Sequence, residues 1–148
     1  MKKSTASAKE ITFYSKKCDR TLSVLGAEAR AFAEVLEKDD CVQRYECNIV
    51  FRINSAEVQC FGLRASYVEA EWVSDFLIEY VDGRECIVDV VRDSDLARKS
   101  EAEKLELARR HWASQGMDWK VFVAEDTTGR KAKRSSTAVL SSQLKEEI

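Results

Sequence analysis

The apolar positions predict a first helix over residues 23–38, because they recur every three or four residues at Leu25, Ala29, Phe32 and Leu36. Ser23 is a residue type that is favoured at the N-cap. Glu28 falls on the same apolar stripe, where a carboxylate is costly unless it is paired, protonated or bound to a metal. Glu28 is therefore either a functional residue or an edge residue whose side chain reaches solvent.

Beyond this helix the pattern changes to runs of β-branched and aromatic residues. These runs predict strands over residues 47–53, 56–61, 72–80 and 84–91. Asp82-Gly83 separates the last two strands, and Asp-Gly between apolar runs is typical of a β-hairpin. Both strands of this hairpin are apolar on both faces, which indicates a sheet covered on each side.

A second helix is predicted over residues 101–115. Ser100 and Glu103 have the spacing of a capping box, and Gly116 is a natural stop. The predicted buried stripe consists of Leu105, Ala108 and Trp112. With a last strand over 118–125, the element order predicts an α/β fold in which a mixed central β-sheet is flanked by helices.

The same pattern predicts whether three other residue types are buried or exposed. His111 lies beside two arginines and is predicted to be a surface or boundary residue. The tryptophans at positions 72, 112 and 119 are predicted to be core residues, and Cys86 a small buried one.

The composition fits one compact domain. The chain has 148 residues, 45% of them hydrophobic, and no apolar run long enough to span a membrane. It has five cysteines, one histidine and no Cys-x-x-Cys pair, so neither a disulfide framework nor a structural zinc site is expected. A reducing cytoplasm is the expected location.

The net charge of −2 hides an uneven distribution. The charge is +4 over residues 1–24, −9 over 25–128 and +3 over 129–148. We therefore divide the chain into a basic flexible arm (1–20), a central domain (21–126) and a basic, amphipathic tail (127–148). The two ends are either DNA-binding segments or merely solvated termini. The candidate phosphate-binding residues are Lys16, Lys17, Arg20, Arg130, Lys131, Lys133 and Arg134.

The register of the predicted hairpin decides whether two aspartates meet. A two-residue loop at 82–83 would place Asp75 opposite Val90, whereas a three-residue loop with Gly83 in the left-handed region places it opposite Asp89. We favour the second register because it gathers the apolar residues on one face. Two carboxylates about 5 Å apart would repel unless a cation or a proton intervened. Mg²⁺, which prefers oxygen ligands, suits such a pair, and Glu28 is the candidate third ligand.

Three stretches resemble a known family. They are Ser74–Val91, which contains Asp75 and Asp89, Glu103–Trp112, and Gly116–Glu125. Over about residues 20–126 the chain resembles the catalytic domain of the transposon endonuclease subunit TnsA, a member of the PD-(D/E)xK nuclease superfamily.

The resemblance implies a restriction-endonuclease-like fold and an endonuclease that uses Mg²⁺ or Mn²⁺ on DNA. It implies that Glu28, Asp75 and Asp89 are the metal ligands. It also implies partners of the transposase or ATPase-regulator type, a possible homodimer, and a bacterial or phage-infected cell as the setting.

The chain departs from the family pattern at three positions. Ser74 stands where the family has proline, and Asp89 where it has Glu or Gln. The motif lysine is replaced by Val91, which cannot orient a water molecule or neutralise charge. Lys99 and Lys104 are candidates for a relocated lysine, with Lys120 a weaker one, and we assign Lys104 to the catalytic set.

Two functions therefore remain open. The first is a metal-dependent endonuclease acting in transposition or other mobile-element DNA processing. The second is a catalytically degenerate pseudo-nuclease that serves as a DNA- or protein-binding assembly module, for which the tail with Leu140, Leu144 and Ile148 would be suited. A third hypothesis is that the protein is purely structural.

Overall fold

The computed structural model describes residues 9–125. A four-stranded mixed sheet forms its centre, in the order β3-β4-β5-β6. Its strands are β3 (Val42–Arg52), β4 (Glu71–Tyr80), β5 (Glu85–Arg92) and β6 (Asp118–Ala124). The first three are antiparallel, and β6 lies parallel to β5. The expected α/β class with a mixed sheet and helices is confirmed.

The two faces of the sheet carry separate cores. Helix α1 (Ala27–Lys38) covers one face, where Phe32 packs against Phe76 and Phe122. Helix α3 (Lys99–Ser114) covers the other face, where Trp112 packs against Phe51. Hydrophobic burial on both faces explains why the central strands carry apolar residues on both faces.

Residues 10–25 form an antiparallel hairpin of β1 (Glu10–Ser15) and β2 (Arg20–Leu25). The expectation of a flexible arm over residues 1–20 is therefore wrong for the described part of that segment, and the first helix begins at Ala27 rather than at 23. Ser23 does not cap a helix, and instead its hydroxyl bonds that of Thr12 across the hairpin at 3.1 Å. The alternation of apolar Leu22 and Val24 with polar neighbours was the sequence signal for this strand.

The connection between β3 and β4 is also different from the prediction. Residues 56–61 form turns rather than a strand, and a short helix, α2 (Ala65–Glu69), follows. This connection is tied to α3, because Arg110 Nη1 donates to the carbonyls of Gln59 and Phe61, both at 2.8 Å. The β3 strand itself is longer than predicted.

The start of α3 differs from the predicted capping box. Its N-cap is Arg98, and Glu103 accepts hydrogen bonds from the backbone and side chain of Arg64. The predicted stop is confirmed, since Gly116 has a φ of 71°, which favours glycine. A short 3-10 helix, Asp93–Asp95, links β5 to α3.

His111 is buried, contrary to the prediction. It is 8% exposed, stacks on Phe51 with ring centres 4.6 Å apart, and packs edge-on against Trp112. The prediction was wrong because the buried face of α3 is rotated toward Leu107 and His111, and Leu105 is only half-buried.

Within residues 9–125, no helix is long and apolar enough to cross a bilayer. The predicted amphipathic tail over 127–148, with the basic residues at 130–134, lies outside the described residues.

Candidate active site

The register of the β4–β5 hairpin brings two acidic residues together. Strand pairs run from Glu79–Glu85 to Phe76–Val88, and the Tyr80 amide donates to the Arg84 carbonyl at 2.8 Å. Gly83 has a φ of 92°, so the turn is the predicted three-residue loop. This register is confirmed, and it makes Asp75 and Asp89 the next partners along the two strands.

Beyond Phe76 and Val88, the side-chain carboxylates of the two aspartates accept the hydrogen bonds between the strands. The Asp75 amide donates to Asp89 Oδ1 at 3.1 Å, and the Val90 amide donates to Asp75 Oδ2 at 2.8 Å. The regular backbone pairing of β4 with β5 stops beyond Phe76 and Val88. The carboxylate of each aspartate therefore accepts a backbone hydrogen bond from the opposite strand, where the regular pairing ends.

An irregularity in β3 accompanies this separation. Asn48, which lies between the paired residues Cys47 and Ile49, has a φ of 60°. Its side-chain amide donates to the Ser23 carbonyl of β2 at 3.0 Å. The hairpin of β1 and β2, which the sequence pattern did not predict, therefore contacts the central sheet beside the acidic pair.

Asp89 is held by a set of hydrogen-bond donors that the pattern of residues does not predict. Ser74 Oγ donates to Asp89 Oδ2 at 3.0 Å, and Trp119 Nε1 donates to the same oxygen at 2.8 Å. Trp112 Nε1 in turn donates to Ser74 Oγ at 3.1 Å. The only sequence signal for this set was a serine next to an acid in an otherwise apolar strand.

The acidic pair is almost completely shielded from solvent. Asp75 is 5% exposed and Asp89 is 1% exposed. Burial, and then the negative charge of Asp75, raise the pKa of Asp89 to about 6, although the hydrogen bonds from Trp119 and Ser74 oppose the rise. Such an environment favours binding of a proton or of a cation.

The chemistry of the pair suits a hard divalent cation. The Asp75 carboxylate accepts the Val90 amide through Oδ2. Asp89 Oδ1 accepts one hydrogen bond and keeps a second lone pair. One or two carboxylates, completed by water and substrate phosphate, are the usual protein ligands of Mg²⁺.

Glu28, the predicted third ligand, lies in the first turn of α1 and is half-buried. Its Oε1 lies 3.7 Å from the place that a Cβ would occupy at Gly26. Among residues 9–125, no group of three or more His, Cys, Asp and Glu side chains is arranged to hold a metal ion. The structure thus does not gather Glu28 with the two aspartates, and its role as a ligand stays a prediction.

The position of the motif lysine and the candidates for a relocated lysine differ in their surroundings. Val91, at the position of the motif lysine, is buried. The Lys104 ammonium lies 4.0 Å from Glu101 and 5.9 Å from the centre of the Trp72 ring, on the helix that covers the face with Trp112. Lys99 begins the same helix, and Lys120 is half-buried on β6.

The other described candidates lie in the β1–β2 turn and at the first residue of β2. Lys16 and Arg20 are exposed. Lys17 Nζ donates to the carbonyls of Asp39 and Val42, at 3.1 and 2.9 Å, so its ammonium stabilises the end of α1.

A mixed sheet with helices on both faces and two adjacent acids where its strands separate is an architecture suited to a nuclease. The sequence family described as TnsA-like endonuclease N-terminal matches residues 39–124, which is more than half of the chain. The chain therefore belongs to the TnsA-like endonuclease N-terminal family. The match includes Asp75 and Asp89 and begins after Glu28. No curated protein sequence matches the chain.

Proposed function

We propose that this chain is a metal-dependent DNA endonuclease of transposition or related mobile-element processing, and that Asp75 and Asp89 are its acidic centre. The observation that carries the proposal is the buried pair of carboxylates at the β4–β5 separation, each with an oxygen that can still accept a ligand. Family membership supports DNA as the substrate and a transposase as the class of partner.

Asp75 and Asp89 would hold Mg²⁺ or Mn²⁺, and Glu28 is the candidate for a third ligand. When bound, the metal would polarise the scissile phosphate and lower the pKa of a coordinated water. The protein would hold the two carboxylates in position. The Val90 amide donates to Asp75, and Ser74 and Trp119 donate to Asp89.

Val91 has no group that can orient the attacking water or offset negative charge. Lys104 is our candidate for that role. Its ammonium lies near the ring of Trp72, which is three residues before Asp75 on β4. The exposed Lys16 and Arg20, together with the tail residues 130–134, would contact phosphates along the DNA backbone.

Incubation of the full-length chain with supercoiled plasmid and Mg²⁺ or Mn²⁺ tests the proposal. Asp75→Asn removes the charge but keeps an oxygen for the Val90 amide, so we expect it to abolish nicking without loss of folding. Glu79→Gln is the matched control on the same strand, since Glu79 pairs only with Arg44 at the surface among the described residues. Equal nicking by the wild type and Asp75→Asn would contradict the proposal.

The second candidate is a pseudo-nuclease that binds DNA or partner proteins without cutting. The observation in its favour is Val91, which is 7% exposed and fills the position of the motif lysine with an apolar side chain. It predicts DNA binding that is the same in the wild type and in Asp75→Asn, with no cleavage by either. A gel-shift assay beside the plasmid assay separates the two functions.

A further inference from the structure

We infer that Ser74, Trp112 and Trp119 form a hydrogen-bond chain that positions Asp89, so that its Oδ1, and not its Oδ2, would be available to a divalent cation. This inference rests on the proposed function. It assigns positioning roles to three residues and identifies the oxygen of Asp89 that would be available to the metal.

The direction of the chain follows from the donor inventory. An indole N–H can only donate, so Ser74 Oγ must be the acceptor of the hydrogen bond from Trp112 Nε1 at 3.1 Å. The single hydroxyl proton of Ser74 is then free for Asp89 Oδ2, which lies 3.0 Å away. Trp112 thus fixes the orientation of a hydroxyl that would otherwise rotate.

Asp89 Oδ2 is saturated by this arrangement. It accepts from Ser74 Oγ and from Trp119 Nε1, at 3.0 and 2.8 Å, which uses both of its lone pairs. Oδ1 accepts only the Asp75 amide, at 3.1 Å. Oδ1 is therefore the oxygen of Asp89 that keeps a lone pair for a cation.

The three donors come from separate elements. Ser74 is on β4, Trp112 on α3 and Trp119 on β6, while Asp89 is on the β5 strand between β4 and β6. Ser74 is buried, and Trp112 is 8% exposed, so water does not compete readily for the hydrogen bonds that join Trp112, Ser74 and Asp89. Hydrogen-bonded partners of this kind orient metal ligands, and their loss typically weakens metal binding about 10- to 100-fold.

Calorimetric titration of the metal-free full chain with Mn²⁺ tests the inference without any need for nuclease activity. Trp119→Phe removes the N–H and keeps an aromatic ring, and Ser74→Ala removes the hydroxyl. We expect each to weaken Mn²⁺ binding by about tenfold or more. Trp72→Phe is the matched control, because the Trp72 indole donates to the Tyr67 carbonyl instead, and it should leave the affinity unchanged.

A second readout uses the wild type and is independent of whether a variant folds. In ¹⁵N-edited NMR spectra, Mg²⁺ should shift the indole N–H signal of Trp119 and leave that of Trp72 in place, with Asp75→Asn abolishing the shift. Wild-type affinity in Trp119→Phe, together with loss of binding in Asp75→Asn, would overturn the positioning role alone. Absence of Mn²⁺ binding by the wild type would overturn both this inference and the proposed metal centre.

Discussion

The amide of Asp75 donates a hydrogen bond to the carboxylate of Asp89 at 3.1 Å, so one acid of the pair directly stabilises the charge of the other. The Asp75 carboxylate opposes this effect, because its negative charge contributes to raising the pKa of Asp89. The two aspartates are therefore joined by a hydrogen bond while their negative charges repel each other, and perturbed pKa values of this kind are common at functional sites. This balance leads to the first prediction.

Asp75→Asn should increase the stability of the metal-free protein at pH 7. Burial and the Asp75 charge raise the pKa of Asp89 to about 6, so the ionised form is disfavoured in the folded state. The ionised Asp89 carboxylate therefore lowers the free energy of unfolding, and this effect develops as the pH rises from about 4 through 6. Removing the Asp75 charge should recover on the order of 1–2 kcal/mol.

Urea unfolding in EDTA at pH 4 and pH 7 measures this effect. The gain in the free energy of unfolding should be present at pH 7 and smaller at pH 4, where Asp89 of the wild type is protonated. Glu79→Gln is again the surface control, with a change of less than about 0.5 kcal/mol. A variant less stable than the wild type at pH 7 would contradict the prediction.

The position of the acidic pair could be predicted from the sequence, whereas its hydrogen-bond donors could not. The hairpin register follows from local information, since only the three-residue loop keeps Phe76, Ile78, Cys86 and Val88 on one buried face. The contact of Trp119 with Asp89 joins residues 30 positions apart. It depends on the parallel placement of β6 beside β5, and periodicity alone does not specify which indole lies next to an acid.

The N-terminal hairpin was missed for a different reason. Its charged residues suggest a mobile arm, and the spacing of its last residue, Leu25, assigns that residue to the helical stripe of α1. The hairpin is held in place by Glu37 of α1, whose carboxylate accepts hydrogen bonds from the hydroxyls of Ser15 and Tyr45 and from the Lys17 amide. These contacts between distant segments are not visible in the spacing of apolar residues.

Glu37→Gln should therefore destabilise the protein by about 1–3 kcal/mol at pH 7. Although partial burial raises the pKa of Glu37, the hydrogen bonds from Ser15, Tyr45 and Lys17 outweigh it and lower the pKa. A lowered pKa gives stability that is present above the unfolded value of about 4.3 and is lost as the pH falls through the folded value. The difference between Glu37→Gln and the wild type should thus shrink toward pH 3.

Denaturant unfolding and amide hydrogen exchange check this prediction. Exchange should increase in β1 and β2 more than in β4 and β5. The matched control is Glu34→Gln on the same helix, because Glu34 is exposed and pairs with Arg30 at 3.7 Å. That variant should change the stability by less than about 0.5 kcal/mol. An equal loss in both variants would argue against the role assigned to Glu37.

His111→Phe should make the protein more resistant to acid. Burial lowers the pKa of His111, with Glu57 opposing, so the folded state disfavours the charged ring. Stability conferred by the neutral ring is lost as the pH falls below the unfolded value of about 6.5. His111 Nδ1 is also buried without a hydrogen-bond partner among the described residues.

Thermal unfolding of both proteins at pH 7.5 and pH 5 is the measurement. Phenylalanine can keep the stacking on Phe51, and it does not take up a proton. The variant's advantage should therefore grow between pH 7.5 and pH 5. A difference that does not change with pH would show that the titration of His111 is not linked to folding.

Arg110→Met should loosen the connection between β3 and β4. Arg110 Nη1 donates to the carbonyls of Gln59 and Phe61, and its Nε donates to Glu106 at 2.7 Å. The loss of hydrogen bonds from a charged donor costs roughly 1.5–3 kcal/mol each in buried settings, and less at this partly exposed site. A local loss of about 1–2 kcal/mol would raise the open population of the loop about 5- to 30-fold.

Limited proteolysis with chymotrypsin measures that population, because Phe61 is 86% exposed at the tip of the connection. We expect faster cleavage after Phe61 in Arg110→Met. Arg109→Met is the matched control, since Arg109 also pairs with Glu106 and, among the described residues, has no hydrogen bond to the loop. If the two variants were cleaved equally fast, the loop would be held by its buried residues, such as Val58, and not by Arg110.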